Sequence, residues 1–478
     1  MATANDVLSP ESQALVDLIA SSTAAIEQAY RLGGQPLPHL GPRTAADTGS
    51  DRGVGILPSA EFIHAVQVLK GATTQLLATF VPPPVYGAEL ALASLDTAAI
   101  GIAVESRVAD VIHKHDPDAS KGVPVQVVAD ETGLEPRHLA RILRSLATKH
   151  VFVELRPDVF ANNRHSSALR SHTPASCVNA FGHWAYDVMP AATKLPDVLS
   201  DREHAAAFSV VHSGASRTFG AVFWDFLKTQ PQRGRRFNEA MKELTQLVSV
   251  TESIVQDVPW AEEFGARNPQ GIFVDVGAGA GHQALSIAPK LPGWEFVIED
   301  LPEVIDTSAK ELWHSSGSQY KHRLVPQNFF EPQVIRGADV YYMKHIIVSC
   351  FAGLSENFDK ECITILKHLR EAADPARSRL LISEVLMGAP LPPRPSSPSF
   401  SFTCSATSTT SPPLLANLGA GASMAHKLDM IMMTVLEAQE RTQAEFEHNV
   451  LASAGWKLAK IHQTRSHVRL AVLECVPV

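Results

Sequence analysis

The run Ile272-Phe-Val-Asp-Val-Gly-Ala-Gly-Ala-Gly-His282 restricts the folds open to this chain more than any other stretch. Apolar side chains around one acid read as a buried strand, and three glycines at alternate positions force a tight turn into a helix that begins near His282. With no Cβ at Gly277, Gly279 and Gly281, the backbone can turn sharply and come close to a ligand. A glycine turn of this kind also suits a dinucleotide, whose pyrophosphate would rest on the helix N-terminus.

Two acids narrow the choice. Asp275 lies two residues before the first glycine, where a dinucleotide fingerprint is apolar, and a carboxylate there suits a cationic amino-acid moiety. Asp300 ends the next apolar run, 25 residues further on, where a carboxylate accepts both hydroxyl protons of a ribose; a helix N-cap is the structural alternative. Apolar runs then alternate with helical patterns through 304–315, 339–344, 359–371 and 379–385. That alternation predicts an α/β domain built on a mostly parallel sheet with crossover helices.

The N-terminal half has a different texture. Residues 11–20 carry apolar side chains at helical spacing, a Gly/Pro-rich link covers 33–55, and helical patterns follow over 61–82 and 90–115. This region is rich in Ala and Leu and poor in charge, which predicts helices buried against each other or against a second subunit. Over 123–160 the order is a helix ending at Gly133, a second helix from Glu135, then a hairpin through Pro157-Asp158, which is a winged-helix pattern. Arg137, His138, Arg141 and Arg144 make the second helix basic, either to read DNA or as the solvated face of a dimerisation or lid module. The net charge of −9 favours the module and argues against nucleic acid as a partner.

Hydrophobic residues at 45% and charged ones at 19% fit a soluble globular chain. Cys177, Cys350, Cys362, Cys404 and Cys475 are scattered without a CxxC pair, so neither a disulfide framework nor a zinc site is expected. The start lacks a signal-peptide pattern, and no run approaches the ~18 apolar residues of a membrane span, so a cytoplasmic protein with no membrane partner is expected. Within 390–413, eighteen of 24 residues are Pro, Ser or Thr, which predicts a disordered insertion; Phe400 and Phe402 raise the alternative of a lid.

In this order of motifs the chain resembles the class I S-adenosylmethionine-dependent O-methyltransferases of the plant caffeate and fungal natural-product type, over residues 90–478. Val274-Asp-Val-Gly-Ala-Gly-Ala-Gly-His is similar to the family's first cofactor motif and Glu299-Asp-Leu-Pro to its second. Gln327-Asn-Phe-Phe-Glu-Pro-Gln and Gly337-Ala-Asp-Val-Tyr-Tyr-Met-Lys are similar to the third and fourth. The resemblance implies S-adenosylmethionine held by Asp275, Gly277, Gly279, Gly281, Asp300, Leu301, Asn328, Phe329 and Lys344. Asn328 stands where the family usually has an Asp beside the adenine, and Lys344 matches a basic position near the cofactor's carboxylate. Leu380-Leu-Ile-Ser-Glu-Val-Leu and Glu440-Arg-Thr-Gln resemble the segments that supply the catalytic carboxylates, here Glu384 and Glu440. Trp224, Phe237 and Met241 fall in the stretch that lines the acceptor pocket, and His183 in a segment bordering it. The winged-helix pattern implies a homodimer, and acids spread over different strands imply no divalent metal.

The departure lies at the base. Where the family carries His, Asp and Trp after its fourth strand, this chain has Val348, Ser349 and Cys350. Valine accepts no proton, whereas a phenol of pKa ~10 calls for a base worth ~10²–10⁴-fold in rate. His345 is the substitute within the same segment. The expected activity is therefore methyl transfer to a hydroxyl of an aromatic or polyketide-like secondary metabolite. The alternative is a cofactor-retaining enzyme or pseudoenzyme that carries out a dehydration or pericyclic step. The expected organisation is an N-terminal helical arm and linker (1–55), a winged-helix-like dimerisation domain (56–200), linking helices (201–262) and a Rossmann-like methyltransferase domain (263–478) carrying the insertion 390–413.

Overall fold

Ser9 and Ser59 open the first two helices of the computed structural model, each side chain accepting the N–H three residues on, from Ser12 and Phe62. The structure describes residues 8–42, 59–173, 176–201, 210–247, 250–348, 358–388, 412–415, 417–466 and 468–478. The predicted loop 349–357, with Ser349 and Cys350, and residues 390–411 of the predicted insertion, with Phe400 and Phe402, lie outside the described residues, as does most of the link 33–55.

Helix α1 (Pro10–Leu32) packs along α2 (Ala60–Phe80). Leu18 and Val68 of this pair close on Leu414 and Leu418. Gln75 Nε2 donates to the Pro413 carbonyl at 2.8 Å, and Lys70 Nζ to Ser423 Oγ at 3.0 Å. The end of the predicted disordered insertion, Pro412 and Pro413, is therefore fixed to α2 and belongs to ordered structure.

Helix α3 (Pro83–Glu105) corrects the reading that no segment is long and apolar enough to span a membrane. Glu89 and Asp96 interrupt any unbroken apolar run, yet an 18-residue window still has a mean hydropathy of 1.5. Leu90, Leu92 and Leu95 stand about 60% exposed along it.

The winged-helix pattern folds as read. Helix α4 (Val108–His115), strand β1 (Val123–Pro124), helices α5 (Val125–Thr132) and α6 (Pro136–Thr148), and strands β2 (Val153–Arg156) and β3 (Val159–Ala161) follow in order, with β3 between β1 and β2 in an antiparallel sheet. Gly133 ends α5 at φ +72 and the Glu135 carboxylate caps α6. Ala103, Val108, Ile112, Val128, Leu139, Leu143 and Phe160 are all fully buried in one core. Arg144 on the basic helix is committed to Glu154 at 2.7 Å and Asp158 at 2.8 Å.

The second half is the α/β fold. Strands β4 (Ile272–Val276), β5 (Glu295–Asp300), β6 (His322–Pro326), β7 (Val340–Lys344), β8 (Arg379–Met387), β9 (Arg441–Thr442), β10 (Trp456–Gln463) and β11 (Leu470–Pro477) make one sheet in the order β10-β11-β8-β7-β4-β5-β6, with β9 beside β8. All pairs from β6 to β9 run parallel; β10 and β11 are antiparallel. Val340, Tyr341, Tyr342 and Met343 are fully buried, as a central parallel strand covered on both faces requires. Phe273 stacks at 5.3 Å from Phe296 and 5.6 Å from Tyr342, which ties three neighbouring strands together.

Contacts divide the chain into two compact units, neither continuous in sequence. The first takes its residues from 1–193, 224–248 and 389–423, the second from 194–223, 249–388 and 424–478.

Candidate active site

Every cofactor residue named from sequence falls in the second unit, at or just beyond the C-terminal ends of β4, β5, β6 and β7. Gly277, Gly279 and Gly281 all have positive φ, at +68, +58 and +83. A Cβ on Gly281 would lie 2.5 Å from Trp313 Nε1, so that glycine is needed for packing. A Cβ on Gly279 would meet nothing within 4 Å, so that glycine faces open space. Gly279 N–H donates to Asp300 Oδ2 at 2.7 Å and Leu301 N–H to Asp300 Oδ1 at 2.8 Å. Asp300 thus orients the turn and keeps further lone pairs for a ligand, while burial raises its pKa against those two donors.

Asp275 is 3% exposed, and its Oδ2 has no hydrogen-bond partner within the chain. Burial pushes its carboxyl up to about 7, with the Lys344 ammonium opposing the shift. A buried carboxylate with one oxygen unpaired, beside an open glycine turn, fits the cationic amino-acid end of a ligand. Phe329 closes on the turn, its Cε1 3.3 Å from a Cβ on Gly277. Asn328 has a local duty as well, because its Oδ1 accepts the Phe330 N–H at 3.1 Å. Lys344 is half-buried, and burial lowers its pKa while Asp275 and Glu384 raise it.

The segment in which the resemblance expects the base leaves β7 directly. His345 sits at φ +54, a conformation that costs ~1–3 kcal/mol for a residue with a side chain. Ile346 then lies over the cofactor turn, its Cδ1 2.6 Å from the position of a Cβ on Gly277. Glu384, fully buried in β8, faces the whole segment. Its Oε1 accepts the N–H of Ile347 at 2.9 Å and of Val348 at 3.3 Å, and its Oε2 lies 3.3 Å from His345 Nδ1. Val348 is 4% exposed, so its backbone is held where the resemblance expects the base while its side chain offers only methyl groups.

Glu440 is 9% exposed, and its Oε2 has no hydrogen-bond partner within the chain. Burial, with the Glu384 and Asp429 carboxylates adding to it, pushes Glu440 up to about 9 against the opposing Arg441. At neutral pH it is a carboxylic acid, able to donate a hydrogen bond.

Residues 203–402 match the model of the O-methyltransferase domain, and residues 88–172 that of the O-methyltransferase dimerisation domain. The chain is 29% identical to 3-O-methyltransferase 2 of Phanerochaete chrysosporium over 454 residues, 94% of each chain. It is also 29% identical to O-methyltransferase gedA of Aspergillus terreus over 455 residues, 87% of each. The chain belongs to the O-methyltransferase family. Its activity is S-adenosylmethionine-dependent O-methylation. Among solved structures, mitomycin 7-O-methyltransferase MmcR has the same fold, with a TM-score of 0.64 at 20% identity over 85% of this chain and all of that one.

Two residues of this O-methyltransferase's cofactor region escaped sequence reasoning. Glu299, buried beside Asp300, accepts Gln333 Nε2 at 2.8 Å, and burial pushes it up to about 7. Gln283, 5% exposed just past the glycine turn, has neither amide atom paired within the chain. Glu299 was visible within Glu299-Asp-Leu-Pro, but only its neighbour had a spacing argument. Gln283 carried no signal.

The predicted acceptor residues group in the first unit. Phe237 meets His183 and Trp224 edge-on, each at 5.4 Å. Trp224 and Met241 are both 37% exposed. His183 is buried against Asp187, Nδ1 to Oδ2 at 2.9 Å, and Arg233 Nη1 binds the other Asp187 oxygen at 2.6 Å. A π-helical turn over Trp184–Val188 creates this arrangement, and Asp187 was not foreseen.

Apart from the acids that match the family, one cluster among the described residues brings two carboxylates and an imidazole together. Glu263, His462 and Glu474 place their ligand atoms within 4.8 Å of one another. Each carboxylate already has cationic partners: Lys460 on Glu263, and Arg379 at 3.4 Å and Arg267 at 3.7 Å on Glu474. Three cations thus face the two carboxylates, which makes the cluster part of an ion-pair network.

Proposed function

We propose that this O-methyltransferase acts as a cytoplasmic homodimer on a hydroxyl of an aromatic or polyketide-like metabolite, with His345 as proton acceptor. The carrying observation is the contact of His345 Nδ1 with Glu384 Oε2, in the segment whose Ile346 lies over the cofactor turn. A carboxylate on Nδ1 selects the tautomer whose Nε2 accepts a proton, and it stabilises the imidazolium that results.

Asp300 and the Gly277–Gly281 turn would hold the ribose end of S-adenosylmethionine, and Asp275 with Lys344 its charged amino-acid end. When bound, the cofactor supplies an electrophilic methyl on a sulfonium. His345 removes the acceptor's O–H proton, Glu384 keeps the imidazole oriented, and protonated Glu440 supplies a hydrogen-bond donor. The exposed Leu92 and Leu95, one turn apart on α3 inside the matched dimerisation domain, mark the surface a second copy would cover.

Val348 favours a second reading. A buried valine in place of a base suits a chain that keeps the cofactor for a dehydration or pericyclic step. Incubation with methyl-labelled S-adenosylmethionine and a panel of phenols, with cofactor binding followed by calorimetry, separates the two. Label transfer supports O-methylation of a phenol; binding without transfer to any acceptor favours the second reading.

A further inference from the structure

We propose that Arg441 is a positioning residue that sets the segment 344–348 against the cofactor turn by holding the Ile347 carbonyl; this rests on the reading of His345 and the glycine turn above. The Arg441 side chain is completely buried. Its Nη1 donates to the Ile347 oxygen at 3.1 Å, and its Nη2 to Asp359 Oδ1 at 2.7 Å and Cys362 Sγ at 3.7 Å. Cys362 Sγ donates to the same Ile347 oxygen at 3.3 Å. Burial pushes the Cys362 thiol up to about 12, so it remains a donor.

The opposite side of Ile347 is held too, because Glu384 Oε1 accepts its N–H and that of Val348. Residue 347 is therefore gripped by a carboxylate at its N–H and a guanidinium at its carbonyl. The grip matters because His345, two residues earlier, adopts a positive φ that persists only where its surroundings over-determine it. Arg441 itself is fixed by the sheet: β9 pairs parallel with Leu386 and Met387 of β8, the strand that carries Glu384. One strand and its neighbour thus deliver both halves of the clamp. The planar fork of arginine bridges the Ile347 carbonyl, Asp359 and Cys362 in one geometry, which a lysine ammonium cannot copy.

The test uses full-length Arg441→Lys and Asp359→Asn. It measures amide hydrogen exchange at Ile347 and Val348, affinity for S-adenosylhomocysteine by calorimetry, and kcat and KM for any acceptor the label assay finds. Arg441→Lys is expected to speed exchange at both amides at least tenfold and to leave S-adenosylhomocysteine affinity within twofold. It should lower kcat about 10- to 100-fold at unchanged acceptor KM, the cost of misplacing a reacting group by ~1 Å. Asp359→Asn, which leaves Arg441 in place, is expected to act in the same direction and carries the test if the lysine variant does not fold. Unchanged exchange overturns the clamp whether or not an acceptor is found. Faster exchange with unchanged kcat overturns its role in positioning. A wild type that binds S-adenosylhomocysteine but transfers no label counts against the function reading, and the exchange result still decides the clamp.

Discussion

At the scale of single residues, Glu440 and the glycine turn give the sharpest expectations. Glu440 holds its proton more tightly in the folded chain than in the unfolded one, up to about 9. The stabilisation this provides is complete below the unfolded carboxyl value and is lost as pH climbs toward about 9. Asp275 and Glu299 act in the same sense but only up to about 7, so the comparison with Glu440→Gln above pH 7 reads the Glu440 contribution. There the wild type should lose up to ~1.4 kcal/mol per pH unit in denaturant unfolding, and Glu440→Gln should be nearly flat. Gly279→Ala and Gly281→Ala should fail differently. The Gly279 methyl enters open space, so the variant should fold within ~1–2 kcal/mol of wild type yet lose at least tenfold in S-adenosylhomocysteine affinity. The Gly281 methyl collides with Trp313, so thermal unfolding should show the loss there. His345→Ala should lower kcat by ~10²–10⁴ with KM little changed, and Val348→His should raise it, both read in the label assay.

At the scale of elements, much of the candidate site was legible because Asp275, the glycines, Asp300 and Lys344 sit at the ends of strands whose apolar runs announce them, whereas Asn328 and Phe329, after β6, rest on the resemblance alone. Asp275 and Asp300 carry spacing arguments, and the Gly279 N–H ties Asp300 to the glycine turn that directly follows Asp275. What spacing cannot express is the identity of a contact partner. The carboxylate of Glu384 reaches the backbone of Ile347 and Val348, some 36 positions earlier, because β7 and β8 are parallel neighbours. Strand β6 and the β10–β11 hairpin were also missed. Polar residues in His322-Arg-Leu-Val-Pro and Trp456-Lys-Leu-Ala-Lys-Ile-His suit the two edges of the sheet, where one side meets solvent and the apolar signal weakens. The same logic makes α3 conspicuous: an apolar helix left largely exposed needs a cover. Replacing Leu92 and Leu95 by Asp should convert a dimer to a monomer by sedimentation, with the winged-helix core unaffected in circular dichroism.

At the scale of the whole molecule, the class of fold followed from alternation along the chain, but its division did not. Sequence texture suggests consecutive blocks, because composition shifts at the link 33–55, near residue 271 and again at 390–413. Packing instead returns residues 412–423 to α2, far from their neighbours in sequence, through Leu414, Leu418 and the Pro413 carbonyl. Loop-closure entropy grows only slowly with length, so such a return costs little. Removing residues 1–55 would take away α1 and uncover Val68 and Leu418. That shortened chain should therefore melt several degrees lower in calorimetry, although the arm carries no motif of the reaction.

The interleaved division also limits how such an enzyme can be recombined. A chimaera that exchanges the first unit for a relative's must replace three separate stretches, 1–193, 224–248 and 389–423, at once. A single crossover near Gly271 would graft one parent's α2 onto the other's Leu414 and Leu418, and a mismatch at Gly71, where even a methyl would sit 2.5 Å from the Leu418 carbonyl oxygen, would break the seam. Libraries aimed at new acceptors would do better with five breakpoints placed at the unit boundaries than with one.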